Sequence, residues 1–300
     1  ACCSNHCNDA DSRYRRCIMM TANNIIFAVL FIVLAPLIGG FLDGVDRVFT
    51  ARMQGRQGPP VLQPFYDVYK LLHKQTTVVN SIQILFIISY TIFTVFTGCI
   101  FFAGGDLLLV FFSLSMAEVM LILAAFSTNA PYSYMCTQRE LVQMMSYEPM
   151  TLLLAIGFYL ATSSFKVGHI VESGVPAICQ LPGMFIAFIF ILIIKLRKSP
   201  FDISTSHHAH QEMVKGITTD ISGQNLALTE ITEWYDNVLM LGFVALFFIT
   251  KNPVSYVWAV IACLVVYFIE TLIDNVFPRV KYMTMLVSAW VVTLVFAGVN

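Results

Sequence analysis

Eight apolar runs, separated by polar stretches, divide the chain: Thr21–Phe41, Ile82–Ala103, Leu107–Ser127, Thr151–Phe165, Pro176–Ile194, Leu226–Ile249, Pro253–Ile273 and Met283–Val299. About 20 apolar residues in a helix cross the hydrocarbon core of a bilayer. The fourth run is short, and extending it back through Ser146 restores spanning length and puts Glu148 at its start. The sequence predicts an all-α polytopic membrane protein of about eight transmembrane helices.

Composition agrees with the pattern. Of 300 residues, 58% are hydrophobic and only 12% charged, and the mean hydropathy is +0.76, outside the range of a soluble domain. A net charge of -1 leaves no electrostatic footprint for nucleic acid. What matters is where the charges fall. Arg47, Arg52, Arg56, Lys70, Lys74, Arg139, Lys195, Arg197, Lys198, Lys215, Arg279 and Lys281 lie in alternate loops on one side. The other side, past residue 20, has only Lys166 and Lys251. The cation-rich side is expected to be cytoplasmic and both termini to face out, with Arg13, Arg15 and Arg16 as the opposing signal.

The expected organisation is therefore a segment over 1–20 and one membrane domain over 21–300, with cytoplasmic loops at 43–81, 128–147, 195–225 and 274–282. The segment 1–20 reads as a leader or an uncertain segment, a tag or misassigned start: Cys2, Cys3, His6, Cys7 and Cys17 lack the paired spacing of a zinc finger. Cys99, Cys136, Cys179 and Cys263 lie in or near apolar runs, where cysteine behaves as a small hydrophobe. No Walker loop, dinucleotide fingerprint or CxxC pair is present, so no metal site and no cofactor of its own is expected in this chain.

Three inside loops hold the candidate chemistry. In the first, Gly55, Gly58, Pro59 and Pro60 force a bent path into an amphipathic stretch from Pro64, suited to a helix lying at the membrane surface. Arg52, Arg56, Gln63 and Asp67 fall here as candidates for a partner surface. The second contains Arg139, a further partner candidate, and Glu140, and leads to Glu148. The third, Lys195–Gly223, contains Lys198, again a partner candidate, with Asp202, His207, His208, His210, Glu212 and Asp220. Histidines there can relay protons, contact a partner or bind metal; the first two readings come ahead of the third. Within the apolar runs, Glu118, Glu230, Glu233 and Asp236 are costly to place in lipid, at least about 2.5 to 3.5 kcal/mol for an ionised carboxylate at a helix centre. Such residues belong to an ion path, or are fixed to a neighbouring helix by hydrogen bonds. Glu270 and Asp274, near the interface, read first as packing acids.

Three motifs resemble one family. GRQGPPVLQPFYDVYKLL (Gly55–Leu72), SYEPM (Ser146–Met150) and SPFD (Ser199–Asp202) followed by EMVKGITTDISG (Glu212–Gly223) are similar to the signatures of the eight-helix membrane subunit shared by respiratory complex I and the group 4 energy-converting nickel-iron hydrogenases. The similarity runs from about Ile25 to the C-terminus. Complex I has an acidic run after PFD, where this chain reads ISTSHHAHQ, and an acid seven residues before Asp202, where this chain has Lys195. The KSPFD and SHHAHQE form resembles the Ech and Mbh hydrogenase subunits more than a quinone-binding or formate hydrogenlyase subunit. The resemblance implies a coupling subunit that anchors hydrogenase large and small subunits, a ferredoxin-like iron-sulfur subunit and antiporter-like membrane subunits in a prokaryotic cytoplasmic membrane. The partners, not this chain, would carry the iron-sulfur clusters and the nickel-iron centre. Glu148 would stand at the family's lateral channel.

Overall fold

The computed structural model describes residues 2–77, 80–201 and 215–298, with the side chains of 2–23 left undescribed. Asp202, His207, His208, His210 and Glu212 lie outside the described residues.

Helices account for about four-fifths of the described residues, which contain no strand beyond an isolated bridge between Asp106 and Lys166. α1 (Cys2–Met53) carries the first apolar run and continues a further three turns past it, into the stretch read as the first loop. The bent segment Gln54–Leu62 leads to the short amphipathic helix α2 (Gln63–Leu72), with Pro64 in its first turn, where a missing N–H breaks no helical bond. α3 (Ser81–Phe102) and α4 (Leu107–Phe126) form a hairpin, and each starts at a side-chain cap: Asn80 accepts from the Ile82 N–H at 3.2 Å and Asp106 from the Leu108 N–H at 3.0 Å.

Two expectations change here. The stretch 128–147, read as a loop, is helix: α5 runs unbroken over Pro131–Thr162, through Pro149. Its first half hides its periodicity because the buried stripe is polar, with Ser133, Thr137, Glu140, Gln143 and Ser146 at helical spacing beside Cys136, Met144 and Tyr147. Hydropathy alone cannot see such a face. The run Pro176–Ile194, read as one helix, is instead broken into α7 (Ala177–Gln180), preceded by the short α6 (Val167–Val171), and α8 (Pro182–Lys195). Pro182 has no N–H and pushes the preceding residue out of the helical region, and Leu181 sits at φ -127°, ψ 51°.

A 3₁₀ turn (Gly216–Thr218) precedes α9 (Gly223–Leu246), followed by α10 (Val254–Val276) and α11 (Tyr282–Val292), which ends in a π-turn over Thr293–Ala297. Five helices among the described residues are long and apolar enough to cross a membrane: the part of α1 from Asn24, and α3, α4, α5 and α10. The shorter apolar helices α8 and α11 with its π-turn, and the more charged 24-residue α9, complete eight. Their ends sort into two sets. At one, the Asp106–Lys166 bridge joins two loops and the Lys251 N–H meets the Ser173 carbonyl; at the other, the Thr77 and Ser222 hydroxyls lie 2.7 Å apart. The main apolar core lies between α4, α5, α8, α9, α10 and α11, with Phe111, Phe158, Phe188, Phe243 and Phe247 fully or almost fully buried.

Candidate functional site

One polar network crosses the buried centre of the cation-rich half, built from side chains inside α4, α5 and α9 and from the C-terminal end of α8. Glu118 projects from the middle of α4 into a place where only 6% of its side chain is exposed. Lys195, the last residue of α8 and 4% exposed, donates to its Oε1. Immediately beyond α8 the chain turns through Arg197 at φ 52°, with the Arg197 N–H bonded to the Ile194 carbonyl and the Lys198 N–H to that of Ile193. A non-glycine residue in this region costs of order 1 kcal/mol or more, and the turn aims the guanidinium back into the bundle. There it meets Glu140 of α5 at 2.7 Å, Glu233 of α9 at 3.1 Å and Glu118 at 3.4 Å. Asp236, one turn after Glu233, lies 3.7 Å from the Lys195 ammonium, and its Oδ1 has no hydrogen-bond partner. Gln143 donates to the Ile194 carbonyl at 2.8 Å and fixes the end of α8.

Two cations thus face four carboxylates. In a medium of low dielectric this set holds together only because the charges alternate, and removal of one member leaves the others uncompensated. With more carboxylates than cations, the set can also take up or release a proton without dismantling the arrangement.

The network does not stop inside the bundle. A cavity of about 1190 Å³ reaches it, with Tyr90, Lys195, Arg197, Glu233 and Asp236 in its wall, together with Asp43, Asp46 and Arg47 of α1, Asp67 and Lys70 of α2, and Asn275 of α10. Nine cationic and seven carboxylate side chains line it among the described residues. A space this large and this polar holds water. On its α1 side Arg47 pairs with Asp43 at 3.0 Å and Asp67 at 2.9 Å, and Gln63 donates to Asp67 at 2.9 Å. On its α10 side Lys198 lies 3.2 Å from Asp46 and over the Tyr267 ring, and Thr271 donates to Asp46 at 2.5 Å.

The sequence-predicted residues therefore part company. Glu118, Glu233 and Asp236 join one site, and Glu230 lies in the cavity wall one turn before Glu233. Asp220 accepts from Ser133 at 2.6 Å, apart from the network. Glu148 is half-buried on α5 two turns beyond Glu140, and its side chain makes no ion pair or hydrogen bond among the described residues. Lys198, read as part of a partner surface, turns inward instead, because Asp46 and the Tyr267 ring offer it compensation inside. Gln63 and Asp67 likewise bond each other, and Asp67 also holds Arg47. Arg52 and Arg56 remain exposed. Arg139 packs its guanidinium over the Tyr282 ring, 6.0 Å from its centroid. The sequence does not single out Lys195, Arg197 or Glu140 as members of the network. The signal was present: an acid inside a hydrophobic run, Glu118, needs a cation, and the C-terminal end of α8 supplies two, at Lys195 and Arg197.

An all-α, multi-pass membrane subunit with a buried ion-pair network opening to a polar cavity is the class these observations define. Residues 25–300 match the NADH dehydrogenase family, and the chain belongs to it. It is 27% identical to a subunit of the NADH-quinone oxidoreductase of Syntrophobacter fumaroxidans, over 92% of this chain and 93% of that protein. It is also 27% identical to hydrogenase-4 component C of Escherichia coli, over 74% of this chain and 75% of that protein. A chain in the solved structure of the membrane-bound sulfane sulfur reductase, an archaeal respiratory membrane complex, has the same fold, with a TM-score of 0.82 at 23% identity, covering 92% of this chain and 97% of that one.

Proposed function

We propose that this chain is the membrane-anchoring and coupling subunit of an energy-converting hydrogenase, in which ferredoxin-driven hydrogen evolution is linked to H+ or Na+ translocation. The observation that carries the reading is the Lys195 and Arg197 network: its two cations stand at the root of the segment that leads to Asp202, and its carboxylates reach the middle of the bundle at Glu118. A charge change on a redox partner docked at the cation-rich end acts first on that segment and on the water-filled cavity. It then shifts the balance of protons and ion pairs at Glu118, Glu140, Glu233 and Asp236. The similarity to hydrogenase-4 component C supports the hydrogenase branch, as does Lys195, a cation where the resemblance to complex I leads one to expect an acid. In this reading hydrogenase large and small subunits and a ferredoxin-like iron-sulfur subunit dock at the cation-rich end, which faces the cytoplasm of a prokaryotic cell. They hold the iron-sulfur clusters and the nickel-iron centre, while antiporter-like subunits adjoin in the membrane. Arg52 and Arg56, exposed on the same cation-rich end, are the anchor for the peripheral arm.

The cavity favours a second reading, a quinone-binding subunit, because its volume would admit a quinone headgroup. Its wall of charged side chains argues against an apolar tail lying there. Purification of the native complex separates the two: ferredoxin-dependent hydrogen evolution with nickel present supports the first, and quinone reduction blocked by quinone-site ligands, without nickel, supports the second.

A further inference from the structure

Glu270 of α10 is the most isolated acid among the described residues. It is 0% exposed, and neither of its carboxyl oxygens has a hydrogen-bond partner. Several carboxylates of this half have a cation beside them: Glu118 has Lys195, Asp46 has Lys198 and Asp67 has Arg47. Packing alone does not explain an acid at this place. A buried polar group without a partner loses the hydration it had in water and gains nothing back, and a leucine of similar size would pack there more stably. Such a carboxyl carries its own hydrogen or a bound cation.

What lies beside it favours the hydrogen. The charged groups that act on Glu270 are Lys198, from the segment after α8, and Asp46, from α1. These two are 3.2 Å apart, and Thr271, the next residue after Glu270, donates to Asp46 at 2.5 Å. Tyr267, one turn earlier, already spends its hydroxyl on the Leu42 carbonyl at 3.1 Å and lends its ring face to Lys198 at 4.4 Å. Asp46, Lys198 and Tyr267 line the cavity, whereas Glu270 is sealed from it and borders the apolar core through Val266 and Ile273. A cation bound at Glu270 would lack further oxygen ligands, since its neighbours' oxygens are engaged with each other.

We propose that Glu270 is a proton-storing site that exchanges its proton with Asp46 across the cavity wall, apart from the Glu118 network. In the exchange the O–H bond at Glu270 breaks and one forms at Asp46, so that one carboxyl gains the hydrogen the other loses. Lys198, 3.2 Å from Asp46, is also among the charges that act on Glu270, so the negative charge passes between two groups it attracts and the total is unchanged. Removing or adding charge near Lys198 moves the proton one way or the other. The inference rests on the coupling function proposed above, which gives the stored proton a use.

The test uses the assembled complex in membrane vesicles and Glu270→Gln and Glu270→Leu variants. Infrared difference spectra between reduced and oxidised enzyme should contain a deuterium-sensitive carboxylic acid carbonyl band that both variants lose. Ion uptake per turnover should fall at least twofold in both, with subunit content unchanged and Glu270→Leu at least as heat-stable as wild type. Wild-type uptake ratio and an unchanged spectrum in either assembled variant overturn the proposal. If neither variant assembles, Asp46→Asn decides in their place: the band must disappear or shift, and an unaltered band overturns the exchange. Absence of the band from wild-type complex, with uptake that requires sodium, assigns Glu270 to a cation and also overturns it. Wild-type vesicles with no ion uptake at all contradict the coupling function instead, and the infrared spectra still decide on Glu270.

Discussion

Two sets of ion pairs meet the same cavity, and they differ in burial. Around Arg47, the side chains are 38% exposed for the arginine, 25% for Asp43 and 39% for Asp67. Around Lys195 and Arg197, they are 4% and 13% for the cations, and 6% and 5% for Glu118 and Glu140. The distances are similar. Water at the first set screens each charge and can replace a lost partner, so such pairs contribute typically about 0.2 to 1 kcal/mol. At the second set only Glu233, 38% exposed, reaches water freely; Glu118 and Glu140 have no such replacement for a lost cation, and loss of a partner there costs about 3 to 5 kcal/mol. The outer set therefore positions α2 on α1, whereas the inner set ties the fold of α4, α5, α8 and α9 to the charge state of the site. A redox partner that perturbs the inner set perturbs the structure.

The largest effect expected from this contrast is at Arg197. Arg197→Met leaves Glu118, Glu140 and Glu233 without their shared cation, and the purified subunit should lose about 3 to 5 kcal/mol in detergent unfolding, or fail to accumulate. A loss below about 1 kcal/mol would place the network in contact with bulk water and end the comparison. Next comes the Lys195 and Glu118 pair, which a double-mutant cycle isolates. Lys195→Met and Glu118→Leu should each destabilise strongly, and together cost less than the sum of the two, with an interaction of about 1 to 3 kcal/mol. Additive losses would mean the two do not interact. Arg47→Ala costs less than either: below about 1 kcal/mol, and reduced further by added salt. Arg52→Glu with Arg56→Glu should leave stability unchanged, as both are exposed, yet release the peripheral arm in a pull-down of the complex. An arm bound at wild-type affinity would remove these arginines from the docking surface.

How much of this was legible in the sequence follows from the same physics. The spanning helices are visible because lipid demands long apolar runs, and Glu118 is visible because it interrupts one. The first half of α5 is hidden, since its buried stripe is Ser133, Thr137, Glu140 and Gln143, a polar face that a hydropathy pattern does not mark. Lys195 and Arg197 look like interfacial cations in a positive-inside count, and only the turn at the end of α8 directs them inward. Glu148 shows the opposite case: the SYE motif marks it in sequence, but its side chain stands apart from the network. The break at Leu181 could have been foreseen from Pro182, whereas the continuation of α5 through Pro149 depends on neighbouring helices that the sequence does not display. Sidedness rests on the count of cations, and single cysteines at Gln57 and Gly168, in a background without native cysteines, should label from opposite faces of the membrane.

The central claim is that the buried acids around Lys195 and Arg197 carry the link between electron transfer and ion movement. Glu118→Gln keeps the shape of the side chain and its capacity to accept from Lys195 while removing the charge. The direct measurement is ion uptake per turnover in vesicles containing the assembled Glu118→Gln complex, with subunit content determined on the same preparation. The account predicts normal assembly and an uptake ratio several-fold below wild type, with electron transfer slowed or running without ion movement. A wild-type ratio at a wild-type rate would contradict it and leave Glu118 a structural partner of Lys195 and nothing more.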